Sequence, residues 1–174
     1  MRVLVVYESM FGNTGAVARA VAKGLSELMD VESHEVSKAT VNDRFDLIVA
    51  GGPTHAFSLS RPSTREGAIA QGATGGSETI GLREWLGSLP RATQSEAFAA
   101  FDTRVAKVRR LPGSAAAKAA KIARRLGYAP AGQESFYVTG TTGPLVHGEL
   151  ERARAWGVQL ATQVSDQTAK QTRG

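Results

Sequence analysis

The sequence contains no cysteine in its 174 residues. That absence excludes disulfide scaffolds, thiolate metal sites, iron–sulfur clusters and a cysteine nucleophile, and it suits a reducing cytosol. Long apolar runs are missing too. The opening run, Val3 to Tyr7, stops at Glu8, far short of a signal peptide or a membrane span. A cytoplasmic protein without membrane attachment is therefore expected. Acidic residues are absent from Thr103 through Gln133, yet Arg104, Lys107, Arg109, Arg110, Lys118, Lys121, Arg124 and Arg125 all fall there. Such a field attracts phosphates, nucleic acid or an acidic protein partner. Aromatic side chains are also absent from Thr103 to Gly127. Nucleic-acid surfaces interleave aromatics with their cations, so nucleic-acid binding is a minor reading. Taken alone, Lys118, Lys121 and Arg125 at helical spacing describe a solvated helix face.

What is present is the composition of one globular domain, with 42% hydrophobic and 21% charged residues. The expected domain covers residues 1–165, followed by a polar tail over 166–174. Residues 2–7, RVLVVY, form a β-branched apolar run with no polar alternation, the signature of a strand buried on both faces. Val17, Val21, Leu25 and Leu28 then recur at helical spacing. Val31 to Val36 alternates as an exposed or edge strand. FDLIVA (45–50) predicts a second buried strand, closed by Gly51, Gly52 and Pro53. The stretch from Thr54 to about Ile80 is rich in Gly, Ser and Thr and reads as a long loop, a length usually functional or mobile. Leu82, Trp85, Leu86 and Leu89 predict a short helix stopped by Pro90. EAFAAF (96–101) predicts a third buried strand, and an Ala-rich helix runs from Pro112–Gly113 to Leu126. Ser135 to Thr139 is the last strand and Glu149 to about Val164 the last helix. Strands alternating with helices imply a three-layer α/β domain with a mainly parallel sheet.

In such a sheet, ligands sit outside the carboxyl ends of the strands, which directs attention to the loops there. The first is Ser9-Met10-Phe11-Gly12-Asn13-Thr14-Gly15, between a buried strand and a helix. Small hydroxyl and amide side chains with glycine let backbone N–H groups wrap an anion at the helix start, with no Lys or Arg required. The plainer alternative is helix capping by Ser, Asn or Thr. Other phosphate loops are excluded. No Gly-Lys-Ser/Thr occurs for a Walker loop, and Met10 stands where a dinucleotide fingerprint needs glycine.

YESMFGNTGAVARAVAKGL resembles the phosphate loop and first helix of the flavodoxin family, whose motif runs [ST]-x-x-G-[NT]-T after the first strand. GGPTHAF resembles the family's loop along one face of the flavin ring, and AAFDTR stands where the loop along the other face is expected. The likeness covers Arg2 to about Val164. It implies a doubly wound, five-stranded parallel sheet in order 2-1-3-4-5, non-covalent FMN, and one- or two-electron transfer. Carried over, Ser9, Asn13 and Thr14 would bond the phosphate through side chains. Met10, Phe11, Gly12, Asn13 and Thr14 would do so through backbone N–H groups. Pro53, Thr54, His55, Ala56 and Phe57 would border the ring, with Phe101, Asp102, Thr103 and Arg104 on its other side. Three departures stand out: Phe11 replaces a common Thr, the stacking Tyr after the fourth strand is absent, and a basic stretch replaces the acidic surface usual in the family.

His55 has an even balance between a ring contact and a purely structural place in its turn. Phe57 either covers the ring or anchors the long loop, while Asp102 either bonds the flavin or caps. Trp85 and Trp156 sit at core spacing with neighbouring leucines. His34 and His147 lack partners at metal-ligand spacing. No catalytic acid, base or nucleophile emerges, so the expected role is an electron carrier serving a redox protein partner, an acidic one if charge is decisive. The positive charge of Arg104 and Lys107 would favour the fully reduced, anionic flavin. One rival is an NAD(P)H- or quinone-linked FMN oxidoreductase, with the 54–80 segment and its Arg61 and Arg65 capping a substrate. The other is a binding module of this fold without a cofactor.

Overall fold

The computed structural model describes residues 1–41, 43–93 and 96–171. The apolar run Arg2–Tyr7 is strand β1, and it lies near the middle of the molecule because Val3 to Val6 have no polar face to turn outward. The helix α1 (Asn13–Leu25) follows, then β2 (Asp30–Glu35), β3 (Leu47–Pro53), α2 (Pro62–Ala70), α3 (Leu82–Ser88), β4 (Ala97–Val105), α4 (Ala115–Arg125), β5 (Ala129–Val138) and α5 (Glu149–Gln171). The sheet has five strands in the order β2-β1-β3-β4-β5, and every pair is parallel. That is the doubly wound arrangement and order the first-strand motif implied.

Period-two alternation divides the continuous apolar strands between two cores. Val3, Val5, Leu47 and Val49 face α1 and α5, joining Val17, Val21, Leu25, Phe101, Phe136 and Trp156. Leu4, Val6, Ile48 and Ala50 face the opposite layer with Leu82, Trp85, Leu86 and the alanines of α4. Both tryptophans are core residues, and Trp85 satisfies its ring N–H by donating to the carbonyl of Ala39 at 3.1 Å. Helices α1 and α5 cross in close contact. A Cβ on Gly24 would collide with the Arg154 carbonyl, and one on Gly157 with the Val21 carbonyl, so larger residues would force these helices apart.

Several boundaries differ from the sequence reading, and two differences shape the site. Strand β4 continues through Val105, so Asp102, Thr103 and Arg104 belong to the sheet, paired with Ser135, Phe136 and Tyr137, and not to a following loop. The 54–80 segment is not a bare loop, since Pro62 opens a helix within it at the position where a missing N–H costs nothing. Strand β5 begins at Ala129, earlier than expected, while α4 begins at Ala115 after the cap Ser114, whose hydroxyl accepts from the Ala117 N–H at 3.1 Å. Helix α5 continues to Gln171, past the last buried residue of its apolar stripe, Val164. Residues 172–174 of the expected tail lie outside the described residues.

Candidate functional site

The chain leaves β1 leftward to β2 and rightward to β3, and this reversal opens a crevice at the carboxyl ends of the strands. A cavity of about 390 Å³ lies there, within the range of roughly 300–1,000 Å³ typical of small-ligand sites. Its floor and walls come from the first loop, the end of β3, the end of β4 and, on one side, α2.

The first loop begins as β1 ends. The Ser9 hydroxyl accepts from the Gly15 N–H at 3.0 Å, which folds the loop back over the helix start and leaves the Ser9 proton available to donate. Gly12 caps α1 with φ of 86°, a left-handed conformation that glycine adopts without cost. As a result the N–H groups of Met10 through Thr14 have no acceptor among the described residues. They gather at the positive end of α1 beside the cavity, and Met10, Phe11, Asn13 and Thr14 line it. Asn13 Nδ2 donates to the Thr142 carbonyl at 3.0 Å, tying in the loop after β5, and Thr141 reaches the cavity wall. The hydroxyls of Thr14 and Thr103 are 2.7 Å apart, joining the helix to β4. Ser9 and Gly12 shape this cradle without lining the main cavity.

At the end of β3, Pro53, Thr54, His55 and Ala56 form the next wall. The chain then reverses in a two-residue turn. His55 N–H donates to the Ser58 carbonyl at 2.9 Å and Ser58 N–H to the His55 carbonyl at 3.0 Å. Ala56 and Phe57 occupy its centre with φ of 47° and 61°. A turn with both central residues left-handed is type I′, which favours Asn-Gly, and a Cβ there costs about 1–2 kcal/mol per residue. Phe57 itself points away from the cavity and is 45% exposed. Burial, and secondarily the positive charge of Arg65, lower the pKa of His55 below its ordinary value, so its imidazole is neutral at pH 7.

The end of β4 alternates between the two faces. Thr103 and Arg104 line the cavity. Phe101 does not. It is fully buried, edge-on to Phe136 and Trp156 with ring centroids 6.2 and 6.3 Å away, and its ring occupies the space a side chain at Gly51 would need. Asp102 is equally buried and turned to the opposite layer, where Oδ2 accepts from the Ala116 N–H at 3.0 Å and caps α4. The guanidinium of Arg104, only 8% exposed, donates through Nη2 to the carbonyls of Val108 and Leu111, at 2.9 and 3.0 Å.

The wall contributed by α2, through Thr64, Gly67, Ala68 and Gln71, was not foreseen. Pro62 at the helix start and the Ala68–Ile69 pair were the available signals, but Gly, Ser and Thr outweigh them in the surrounding stretch. Arg65 holds this helix in place. Its side chain is fully buried and donates to the Ser60 hydroxyl at 2.9 Å and to the carbonyls of Glu78 and Thr79 at 3.0 and 3.2 Å. It also pairs with Glu84 at 3.0 Å. Close by, the buried carboxylate of Glu8 accepts from the Leu82 N–H at 2.7 Å. Burial raises the pKa of Glu8 above its ordinary value, partly opposed by that hydrogen bond and by the charge of Arg65. A buried strut cannot also grip a substrate, so Arg65 is removed from any capping role.

These features define a doubly wound α/β protein with a ligand-sized cavity, bordered by a loop of unpartnered N–H groups, at the switch in strand order. Comparison with solved structures gives the same answer. A flavodoxin from the domain Archaea superposes with a TM-score of 0.64 at 19% identity, covering 95% of this chain and 99% of that one. Oxidised flavodoxin 2 from Bacillus cereus gives 0.61 at 16% identity over 94% and 99% of the two chains. A structure described as a flavone reductase gives 0.60 at 16% identity, covering 95% of this chain and 64% of that one. No protein-family model and no curated protein matches the sequence. The chain has the flavodoxin-like fold. Among the described residues, no helix is long and apolar enough to cross a membrane.

Proposed function

We propose that the protein binds FMN non-covalently in this cavity and serves as an electron carrier between redox partners in a reducing, cytoplasmic compartment. The observation that carries the reading is the cluster of unpartnered N–H groups from Met10 to Thr14 at the start of α1. Buried or half-buried N–H groups without acceptors are rare, and those of Met10, Phe11, Asn13 and Thr14, beside the exposed Gly12 at a helix N-terminus, suit a dianionic phosphate. The Ser9, Asn13 and Thr14 side chains stand around that cradle, so the phosphate would be held by dipoles and hydrogen bonds instead of by an ion pair. Pro53, Thr54, His55 and Ala56 would border one side of the ring, and Thr103 with Arg104 the other. The neutral His55 can donate or accept a hydrogen bond without adding charge there. FMN, when bound, supplies reversible transfer of one or two electrons, while the chain contributes binding, orientation and electrostatics.

A second reading, an FMN-dependent oxidoreductase acting on a small substrate, draws support from the α2 wall. Thr64 and Gln71 bring polar groups to the cavity beyond those the phosphate cradle requires. Multiple-turnover oxidation of NADPH with a quinone acceptor would favour it over the carrier.

Calorimetric titration with FMN and with riboflavin tests the proposal directly, because the two ligands differ only in the phosphate. FMN is expected to bind at least a hundredfold more tightly, a difference of about 2.7 kcal/mol. Equal affinities, or no uptake of either, would refute the phosphate cradle. Changing Ser9, Asn13 and Thr14 together to alanine should weaken FMN and leave riboflavin little changed.

A further inference from the structure

The cavity opens beside a surface that the proposed cofactor site does not use. Arg104 spends its Nη2 on the carbonyls of Val108 and Leu111. The strand that lines the cavity thereby pins the following loop at the rim, and the exposed Lys107, Arg109 and Arg110 with it. Among the described residues none of these three cations is paired with a carboxylate. Two apolar side chains stand out among them. Leu111 is 48% exposed and Phe57 45%. Their segments touch, because the backbone of Gly113 packs on Phe57, so closely that a Cβ at Gly113 would lie 2.7 Å from the Phe57 carbonyl.

Phe57 is held outward at a cost. Its left-handed φ, and that of Ala56 before it, are conformations that side chains normally avoid, and such strain persists where the surrounding structure or a function demands it. Helix α4 starts at the same rim, where the Ala115 N–H donates to the Thr54 hydroxyl at 2.9 Å. From there it carries exposed Lys118, Lys121 and Arg125 along roughly 10 Å of its length. With no acid between Thr103 and Gln133, nothing within this stretch neutralises the field.

We propose that this face, with Phe57 and Leu111 at its centre and the cations of the 107–110 loop and α4 around them, is the docking surface for an acidic redox protein. The proposal rests on the FMN reading above, and gives that carrier a partner of defined charge. An apolar centre within a charged rim is the anatomy of a specific protein interface, in which the centre supplies affinity and the rim steers encounter. A nucleic acid fits less well, because strand binding stacks successive bases on several aromatics, and Phe57 alone stands exposed among these charges within the described residues.

The test is a binding titration of the FMN-loaded protein against a plant-type [2Fe–2S] ferredoxin, an acidic redox protein, at 20 and 200 mM NaCl. Binding is expected at low salt, weakened at least tenfold by the higher salt and at least tenfold by the R109E/R110E double substitution. Phe57→Ser should weaken binding at both salt concentrations alike, since its contribution is apolar. Basic cytochrome c should not bind. The proposal is overturned if ferredoxin fails to bind, if R109E/R110E binds as wild type does, or if cytochrome c or a 20-base-pair DNA duplex binds as tightly as ferredoxin. Neither arginine lines the cavity, so FMN affinity is a separate control. Failure of FMN uptake by the unmodified chain sinks the cofactor reading, whereas ferredoxin indifference with FMN bound sinks only the docking surface.

Discussion

Replacing Arg65 by methionine should separate the scaffold of the site from its ligand contacts. Methionine fills much of the same volume but cannot donate to Ser60, Glu78 or Thr79, nor pair with Glu84. The Glu84 pair contributes little to the cost, because that carboxylate is 34% exposed and screened by solvent. The Glu78 and Thr79 carbonyls lie in an exposed stretch and can turn to water. The Ser60 hydroxyl and Glu8 carboxyl are buried and cannot, so the substitution strips one of its donor and the other of a nearby positive charge that offsets its burial. Breaking a buried ionic arrangement from one side costs about 3–5 kcal/mol. For a domain of this size each kcal/mol lowers Tm by about 2–4 °C, giving an expected drop of some 6–20 °C. Thermal unfolding by circular dichroism measures it, and calorimetry should show weakened FMN uptake, because α2 supplies a cavity wall. A Tm within 2 °C of wild type would refute the strut, and unchanged FMN affinity in a destabilised variant would show that the α2 wall is dispensable for binding.

Glu8→Gln should alter how stability depends on pH. The folded-state pKa of Glu8 lies above its unfolded value, so its contribution is fully present below the unfolded pKa and declines as pH rises through the folded one. Denaturant titrations from pH 4 upward should show this decline in the wild type and a flatter profile in Glu8→Gln; identical profiles would mean that the carboxyl does not titrate as its burial requires. Converting Ala56-Phe57 to Asn-Gly gives the type I′ turn its favoured residues and should stabilise the fold by about 1–2 kcal/mol in urea unfolding, while removing the apolar centre of the docking face. An unchanged midpoint would argue that the turn is unstrained. With FMN bound, Arg104→Met removes one positive charge from the cavity wall. At an effective dielectric constant of 20 and about 10 Å this is worth about 1.7 kcal/mol. On a two-electron couple it lowers the potential by about 35 mV in a redox titration. A potential that rises or stays the same would contradict the electrostatic reasoning.

The parts legible in the sequence share one property, that they are local. The run Val3–Val6 announces a strand buried on both faces. Ser9 to Gly15, placed between that strand and an amphipathic helix, announces the turn that opens α1, with its N–H groups free of acceptors. Misread features were those where local and tertiary preferences disagree. Asp102, Thr103 and Arg104 look polar enough for a loop, yet all lie in β4, where the backbone pairs with Ser135 to Tyr137 and each side chain has at least one partner, although Asp102 Oδ1 and Arg104 Nε are buried without one. Phe101 looks like a ring-stacking residue by position, but strand alternation sends it into the core. The helix α2 was hidden because its stability comes from a buried arginine with distant partners, which composition does not register.

By itself, then, the sequence determined the class of the sheet, the strands buried on both faces and the position of the first loop at a helix start, because hydrophobic periodicity and turn residues act over a few neighbours along the chain. Only the tertiary structure decided which polar residues face the cavity, that Arg65 is a strut, and that the turn bearing Phe57 packs against the segment that follows the basic loop. Those outcomes depend on packing between segments far apart in the chain, where burial, charge and hydrogen bonding must be satisfied together and no single segment carries the answer.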